Sequence, residues 1–352
     1  MPSCTRGASA PGSCHTARDG CRMALPADGE PGIEQTTGVG SRRPASRADG
    51  PSAADAATSG LVLARDADPA LLTDGLRSGR LRRTRRGAYH PAERSVGPAI
   101  DHQRDALRRI AALAAQLSTP MWFSHESAAL IWGFAVVNLS PQTHLTQLYP
   151  QNARTDRQVI RHCATLPEVD RTVHRSLPVT GIERTVLDCA LALPVDRALV
   201  IADSALNRGA DAAGLVDRLR RLAGHRGVRR ARAVLALADG RAESPGETLV
   251  RFAIHHAGLP EPELQIGVAT ASGTFWLDLG WSRWKLAIEF DGFVKYAAPY
   301  SGTAADAVFA EKLRQDALED VGWKIIRVTW ADLRDPAALA RRIRRHLTAR
   351  TP

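Results

Sequence analysis

The chain has 352 residues, enough for more than one hydrophobic core. Its formal charge of +10 and pI near 10.0 suit a polyanionic partner such as nucleic acid better than an acidic substrate. The five cysteines include no C-x-x-C pair and three precede residue 22, which argues against a disulfide framework or a cysteine zinc site; no apolar run or signal-peptide centre is visible, so the expectation is a cytoplasmic protein with no membrane partner.

Residues 1–57 are rich in Gly, Pro, Ser, Ala and Arg and lack any aromatic side chain, the first being Tyr89. Such a segment buries too little surface to offset chain entropy, so it reads as a disordered tail, with Met23 as an internal candidate start. Residues 58–100 read as a compact basic module. A short helix carrying Leu71, Leu72 and Leu76 leads into a hairpin from Leu81 to Tyr89, with Gly87 at its turn. Six of the ten residues from Arg77 to Arg86 are arginine, and Arg80, Arg82, Arg83, Arg85 and Arg86 are the candidate DNA contacts. A helix followed by a basic hairpin is how a winged-helix module would end. The alternative is a charged edge strand protected against pairing.

Residues 101–210 read as a mixed α/β region. Leu107, Ile110, Leu113 and Leu117 recur at helical spacing, and Ser124 is placed to cap a second helix ending at Gly133. Val137 to Leu148 and Arg157 to Cys163 read as strands, and Ile182 to Ala190 and Ala198 to Leu206 as helices. His125 and Glu126 sit at the start of the second helix, where a packed or hydrogen-bonded role is the simpler reading. The segments RRGAY, SHESAALIWG and VTGIERTVLDCA together resemble the AbiEi-type antitoxin and regulator proteins, which implies a winged helix joined to a mixed domain and a cognate toxin as a possible partner. Residues 211–240 read as an Arg-rich helical connector, its arginines either a solvated face or a stripe that tracks phosphates.

In residues 241–352, Ser244-Pro-Gly-Glu247 has the pattern of a capping box, opening a helix that runs to about Gly258. Two strands follow, Phe275 to Trp281 and Lys285 to Asp291, joined through Ser282 and Arg283. Period-two alternation puts Glu289 and Asp291 on one face, opposite Leu286, Ile288 and Phe290, and puts Asp278 on the face of Trp276 and Gly280. A link of two or four residues would set Asp278 across from or diagonal to Glu289; a link of three would separate them. A helix from Asp306 to Asp320, with Phe309, Leu313 and Ala317 toward the core, then leads to a strand from Trp323 to Trp330 and a last helix.

Glu247, LDLGW, LAIEFDGFVKY, EKLRQDAL and GWKIIRVTWADL resemble the nuclease-like domain of very-short-patch-repair endonucleases, within the PD-(D/E)xK superfamily. The fold implied is α/β (α+β), with the winged-helix-like and mixed regions preceding a restriction-endonuclease-like domain. The same resemblance makes Asp278, Glu289 and Glu247 the catalytic acids. Asp278 and Glu289, with Asp291, are then the candidate ligands for Mg2+ or Mn2+, a choice that hard oxygen donors favour. Asp291 stands where E-x-K has its lysine, which leaves Lys295 as the candidate water-positioning residue and Lys312 as the second.

The leading expectation is a magnesium-dependent DNA endonuclease with a basic DNA-binding module. Its rival is a non-catalytic DNA-binding regulator or antitoxin that keeps a nuclease-like fold. Target sequence and oligomeric state are not legible.

Overall fold

The structure is a computed structural model describing residues 60–150, 156–292 and 304–349. The expected tail at 1–57 lies outside the described residues, and so does Lys295. The architecture is mixed α/β, with three sheets among the described residues. None of the described helices is long and apolar enough to cross a membrane.

The first sheet is small. Strand β1 (Val62–Leu63) precedes helix α1 (Pro69–Arg77), and β2 (Leu81–Arg85) and β3 (Ala88–Pro91) form the hairpin, in the antiparallel order β1-β3-β2. Asp68 caps α1 by accepting from the Ala70 N–H at 2.7 Å. Gly87 turns the hairpin at φ +73°, a conformation glycine adopts without strain. Only Leu72 of the three expected leucines is buried, and Leu71 is 70% exposed. The sheet beneath a nine-residue helix is too small to cover a wider stripe. Of the winged-helix expectation, the described residues contain this helix and hairpin.

A longer helix, α2 (Pro98–Gln116), starts the middle region. Strand β4 (Trp122–Phe123), helix α3 (His125–Ile131), β5 (Thr143–Gln147), β6 (Val159–Cys163), β7 (Arg171–His174) and β8 (Leu177–Thr180) follow, the strands ordered β6-β5-β4-β8-β7. The strand expected from Val137 is confined to Thr143–Gln147, because Asn138 takes a positive φ and Pro141 has no amide to give a ladder. Helices α4 (Ile182–Ala192), α5 (Val195–Asn207), α6 (Ala212–Arg221) and α7 (Val228–Leu237) complete the region. Leu215, Leu219, Ala231 and Val234 share one apolar core with Ile110, Phe123 and Leu199. The expected 211–240 connector is therefore two helices that turn apolar side chains inward and most arginines outward, while Arg218 and Arg230 bond Asp170 and the Leu191 carbonyl.

The last sheet is the one that carries the acids. Helix α8 (Pro245–His256) leads to β9 (Glu263–Thr270), β10 (Gly273–Trp281) and β11 (Leu286–Phe290); α9 (Ala304–Asp320) crosses to β12 (Lys324–Val328), and α10 (Pro336–Thr348) closes the chain. The order is β12-β11-β10-β9, with β11 and β12 parallel and the other pairs antiparallel. Strand β9 was not expected from the sequence. One core joins Val250 and Ile254 of α8 with Ile343 of α10 and Ile288 of the sheet, and a second joins Leu318 of α9 with Leu277, Ala287 and Trp323. A buried Asp203–Arg251 ion pair at 2.7 Å, with Thr248 and the Asp239 amide also on Asp203, ties α5 to α8.

Helix α9 departs from expectation. Phe309 and Leu313 are 63% and 53% exposed, whereas Leu318 is fully buried. Glu311, Arg314 and Leu318, spaced three and four apart, share one helix face, so its inward stripe is partly charged.

Candidate active site in the C-terminal sheet

The link between β10 and β11 has four residues, Ser282 to Lys285, including a short 3-10 turn. The pairs Leu279↔Ile288, Gly280↔Ala287 and Trp281↔Leu286 set a register that, carried one step further, puts Asp278 across from Glu289. The ladder changes character there, since the Phe290 N–H donates to the Asp278 carboxylate at 2.9 Å.

On its other side Asp278 faces β9 at Gln265, between the pairs Leu277↔Ile266 and Leu279↔Leu264. Gln265 has φ +53°, uncommon inside a strand. Leu264 and Leu279 belong to the α8/α10 core, while Ile266 and Leu277 belong to the α9 core. The apolar face of the β9–β10 hairpin thus changes sides at the row that holds Asp278. Such local irregularity re-aims side chains and recurs near functional sites.

Glu247 comes from the first turn of α8. Ser244 caps that helix by accepting the Glu247 N–H at 3.2 Å, and the Glu247 carboxylate accepts from the Glu243 N–H at 2.9 Å and from the Gln265 amide at 3.3 Å. Gly246 makes the approach possible, because a Cβ there would lie 2.1 Å from the Phe290 ring. Burial and then the nearby charge of Asp278 push the Glu247 carboxyl up to about 7.

Glu289 is held by Arg314. Both terminal nitrogens of the guanidinium reach its carboxylate, one at 3.2 Å, and the group also donates to the Trp276 carbonyl at 3.2 Å and to Glu311 at 3.4 Å. Burial pulls the Arg314 guanidinium down, but the hydrogen bonds and charge of Glu289, with Glu311 and Asp278, outweigh it and leave it raised. Glu311 also pairs with Arg327, the cross-strand neighbour of Glu289. Asp291 is half-buried and its backbone N–H bonds to Val328 at 2.8 Å. Lys312 is exposed on α9.

The donor set of Asp278, Glu289, Asp291 and Glu247 is oxygen only, which fits a hard divalent cation in type. Among the described residues, the groups of three whose ligand atoms all lie within 4.8 Å of one another comprise His125, His144 and His162 alone. No three of the carboxylates meet within that distance, and the positive charge beside Glu289 comes from Arg314. Sequence reasoning missed Arg314 and Gln265: a helix arginine among other charges carries no marker, and β9 itself was unseen.

The basic hairpin divides. Arg82, Arg83 and Arg86 are exposed. Arg80 pairs with Asp74, and Arg85 pairs with Asp156 at 2.6 Å with its side chain 14% exposed, which removes Arg85 from the set free to meet phosphates. Beside the hairpin, Arg82, Arg83 and Arg109 line a small cleft of about 140 Å³.

A second polar cluster, read from the sequence only as a packed His125, lies in the middle sheet. His125 follows β4, while His144 and His162 stand on β5 and β6. The hydroxyl of Ser124 meets His125 Nδ1 at 3.0 Å instead of capping α3, and His144 Nδ1 lies 3.2 Å from His162 Nε2. The rings of His125 and His162 stack at 3.8 Å. Burial first, then the neighbouring imidazole His162 and Arg197, take His144 down to about 4; His125 and His162 are also lowered, chiefly by burial. No spacing motif joins the three; the parallel β5–β6 register, with Thr146 opposite His162, and the β4–β5 pairing that precedes α3 bring them together.

No protein-family model matches the chain. Two curated relatives, Uncharacterized protein MT2308 and Uncharacterized protein Rv2248 from two strains of Mycobacterium tuberculosis, are each 34% identical over 166 residues, covering 46% of this chain and 59% of theirs. The match thus spans less than two thirds of the length of those relatives. A solved structure, that of the RV2827C protein from Mycobacterium tuberculosis, aligns over 52% of this chain and 74% of its own, with a TM-score of 0.34 and 16% identity.

Proposed function

We propose that the C-terminal sheet hydrolyses phosphodiester bonds in DNA with a divalent cation, Mg2+ or Mn2+, and that the exposed hairpin arginines hold the DNA. The observation that carries this reading is the register placing Asp278 across from Glu289 beside Glu247, a buried carboxyl that keeps its proton to about 7. Asp278 and Glu289 would hold the cation, with Asp291 at the rim. When bound, the ion would polarise the phosphodiester and acidify a water. Glu247, titrating near neutrality, suits the transfer of a proton to or from that water, and Gln265 fixes its carboxylate. Arg314, once it leaves Glu289, is free to face the charge that grows on the phosphate. Arg82, Arg83 and Arg86 contribute affinity that carries no sequence information.

A second reading has its own support. Arg314 already neutralises Glu289, and Asp291 holds the place of the E-x-K lysine, as in a nuclease fold kept for binding by a DNA-binding regulator with a cognate toxin as partner. Incubation of plasmid and single-stranded DNA with purified protein in Mg2+ or Mn2+ separates the two. Metal-dependent nicking that disappears in Asp278→Ala and Glu289→Ala supports the nuclease. DNA binding without cleavage, indifferent to Asp278→Ala and weakened when Arg82 and Arg83 become Glu, supports the regulator.

A further inference from the structure

We propose that His125, His144 and His162 form a binding site for one first-row divalent transition-metal ion of the zinc class, independent of the carboxylates in the C-terminal sheet. Imidazole nitrogen is a ligand for zinc, cobalt and nickel and a poor one for magnesium, and only neutral imidazole can bind. His144 and His162 stand on neighbouring strands and His125 opens the helix after β4, and one ring nitrogen from each lies within 4.8 Å of the other two. A tetrahedral ion with Zn–N bonds of about 2.0–2.1 Å holds its ligands roughly 3.3–3.5 Å apart. His144 Nδ1 and His162 Nε2, at 3.2 Å, already stand at that separation. The third ligand requires the His125 ring to turn out of its stack on His162, so that its plane also contains the ion.

Three further observations point the same way. Ser124 engages His125 Nδ1 at 3.0 Å, which orients the ring and leaves its Nε2 for an ion. The His144 Nε2 is buried without a hydrogen-bond partner, and the buried Glu126 carboxylate lies 3.9 Å from it. A carboxylate behind a ligating histidine is the usual outer support of such a site. His125 also has φ +52°, and backbone strain of this kind persists where the surroundings impose it. Glu126 is itself fixed by Arg197 at 2.7 Å and by the Ser140 N–H at 3.3 Å. The nearby cations are compensated, Arg197 by Glu126 and Arg184 by Asp188 at 2.8 Å. Three protein nitrogens leave a fourth tetrahedral position for water or a further ligand.

Equilibrium dialysis of the full chain against Zn2+ and Co2+, with Cys4, Cys14, Cys21 and Cys163 replaced by Ser, tests the site. One ion per chain is expected, with the visible absorption of tetrahedral cobalt(II) and paramagnetically shifted resonances from three imidazoles, a count that needs no histidine variant. His144→Ala and the half-buried His162→Gln should weaken binding at least about 100-fold. Ser124→Ala, which removes only outer support, should weaken it about 10-fold. Binding unchanged by Asp278→Ala and Glu289→Ala keeps the site distinct from the carboxylates. The proposal is overturned if this chain takes up neither ion at micromolar concentration, if cobalt shows fewer than three shifted imidazoles, or if folded His144→Ala binds like the parent.

Discussion

Burial of polar groups is compensated in opposite ways in the two sheets. In the middle sheet three imidazoles shed their charge: desolvation lowers each of them, so the cluster needs no counter-ion. In the C-terminal sheet the acids divide the problem, Glu247 by holding a proton and Glu289 by recruiting Arg314 from the crossover helix. The chemistry of the side chain decides which route is open. Imidazole loses its proton within a few pH units of neutrality, whereas a carboxylate near a second carboxylate must gain a proton or a cation.

The largest effect that tests this contrast is at Arg314. Replacement by Met leaves Glu289 and Asp278 without their cation and should cost about 2–4 kcal/mol, below the range for a wholly buried pair because both partners keep some solvent contact. Urea unfolding measures the loss, and millimolar Mg2+ should restore part of it by binding the folded acids. A loss under about 0.5 kcal/mol would mean that Arg314 balances nothing.

Next comes acid sensitivity from the histidines. His144 titrates at about 4 when folded and 6.5 in its ordinary state, so the unfolded chain takes up the proton first. Stability present above pH 6.5 is therefore lost as the pH falls toward 4, by as much as about 3 kcal/mol. Replacement of His144 by Asn should flatten that slope in unfolding curves taken across the window.

Glu247 should behave with the opposite sign. Its folded pKa of about 7 exceeds the ordinary 4.5, so the folded chain holds the extra proton, and stability falls as the pH rises from 4.5 through 7. Glu247→Gln should match the parent near pH 4 and exceed it by about 2 kcal/mol at pH 8, judged by thermal unfolding. A variant less stable at pH 8 would break the comparison.

The smallest effect on stability belongs to the hairpin. Arg82→Glu with Arg83→Glu should shift unfolding by less than about 0.5 kcal/mol, since both residues are exposed. DNA affinity should drop and the salt dependence become shallower by about one phosphate contact per arginine. Equal affinity in fluorescence anisotropy would remove the hairpin from the DNA surface.

Local signals made several elements readable in advance. The helix opening at Ser244, the hairpin around Gly87 and the apolar run of β11 all follow from caps, turn residues and alternation, which act over a few neighbours. Strand β9 carries the alternation Leu264, Ile266 and Val268, but the two prolines just before it read as a loop and hid that signal. The inward face of α9 escaped for another reason. Phe309 and Leu313 look like core by residue type, yet the helix is turned by Leu318 and by the grip of Arg314 on Glu289.

Sequence by itself placed Asp278 and Glu289 on consecutive strands, because strand period and turn chemistry are local. It also determined a basic hairpin, because arginine density needs no partner to be counted. Tertiary structure alone decided that the link has four residues, that Glu247 sits near Asp278, that Arg314 closes on Glu289 and that Arg85 is paired with Asp156. It alone assembled the three histidines. Those outcomes depend on register, helix rotation and contacts between distant segments, which no short stretch of residues encodes.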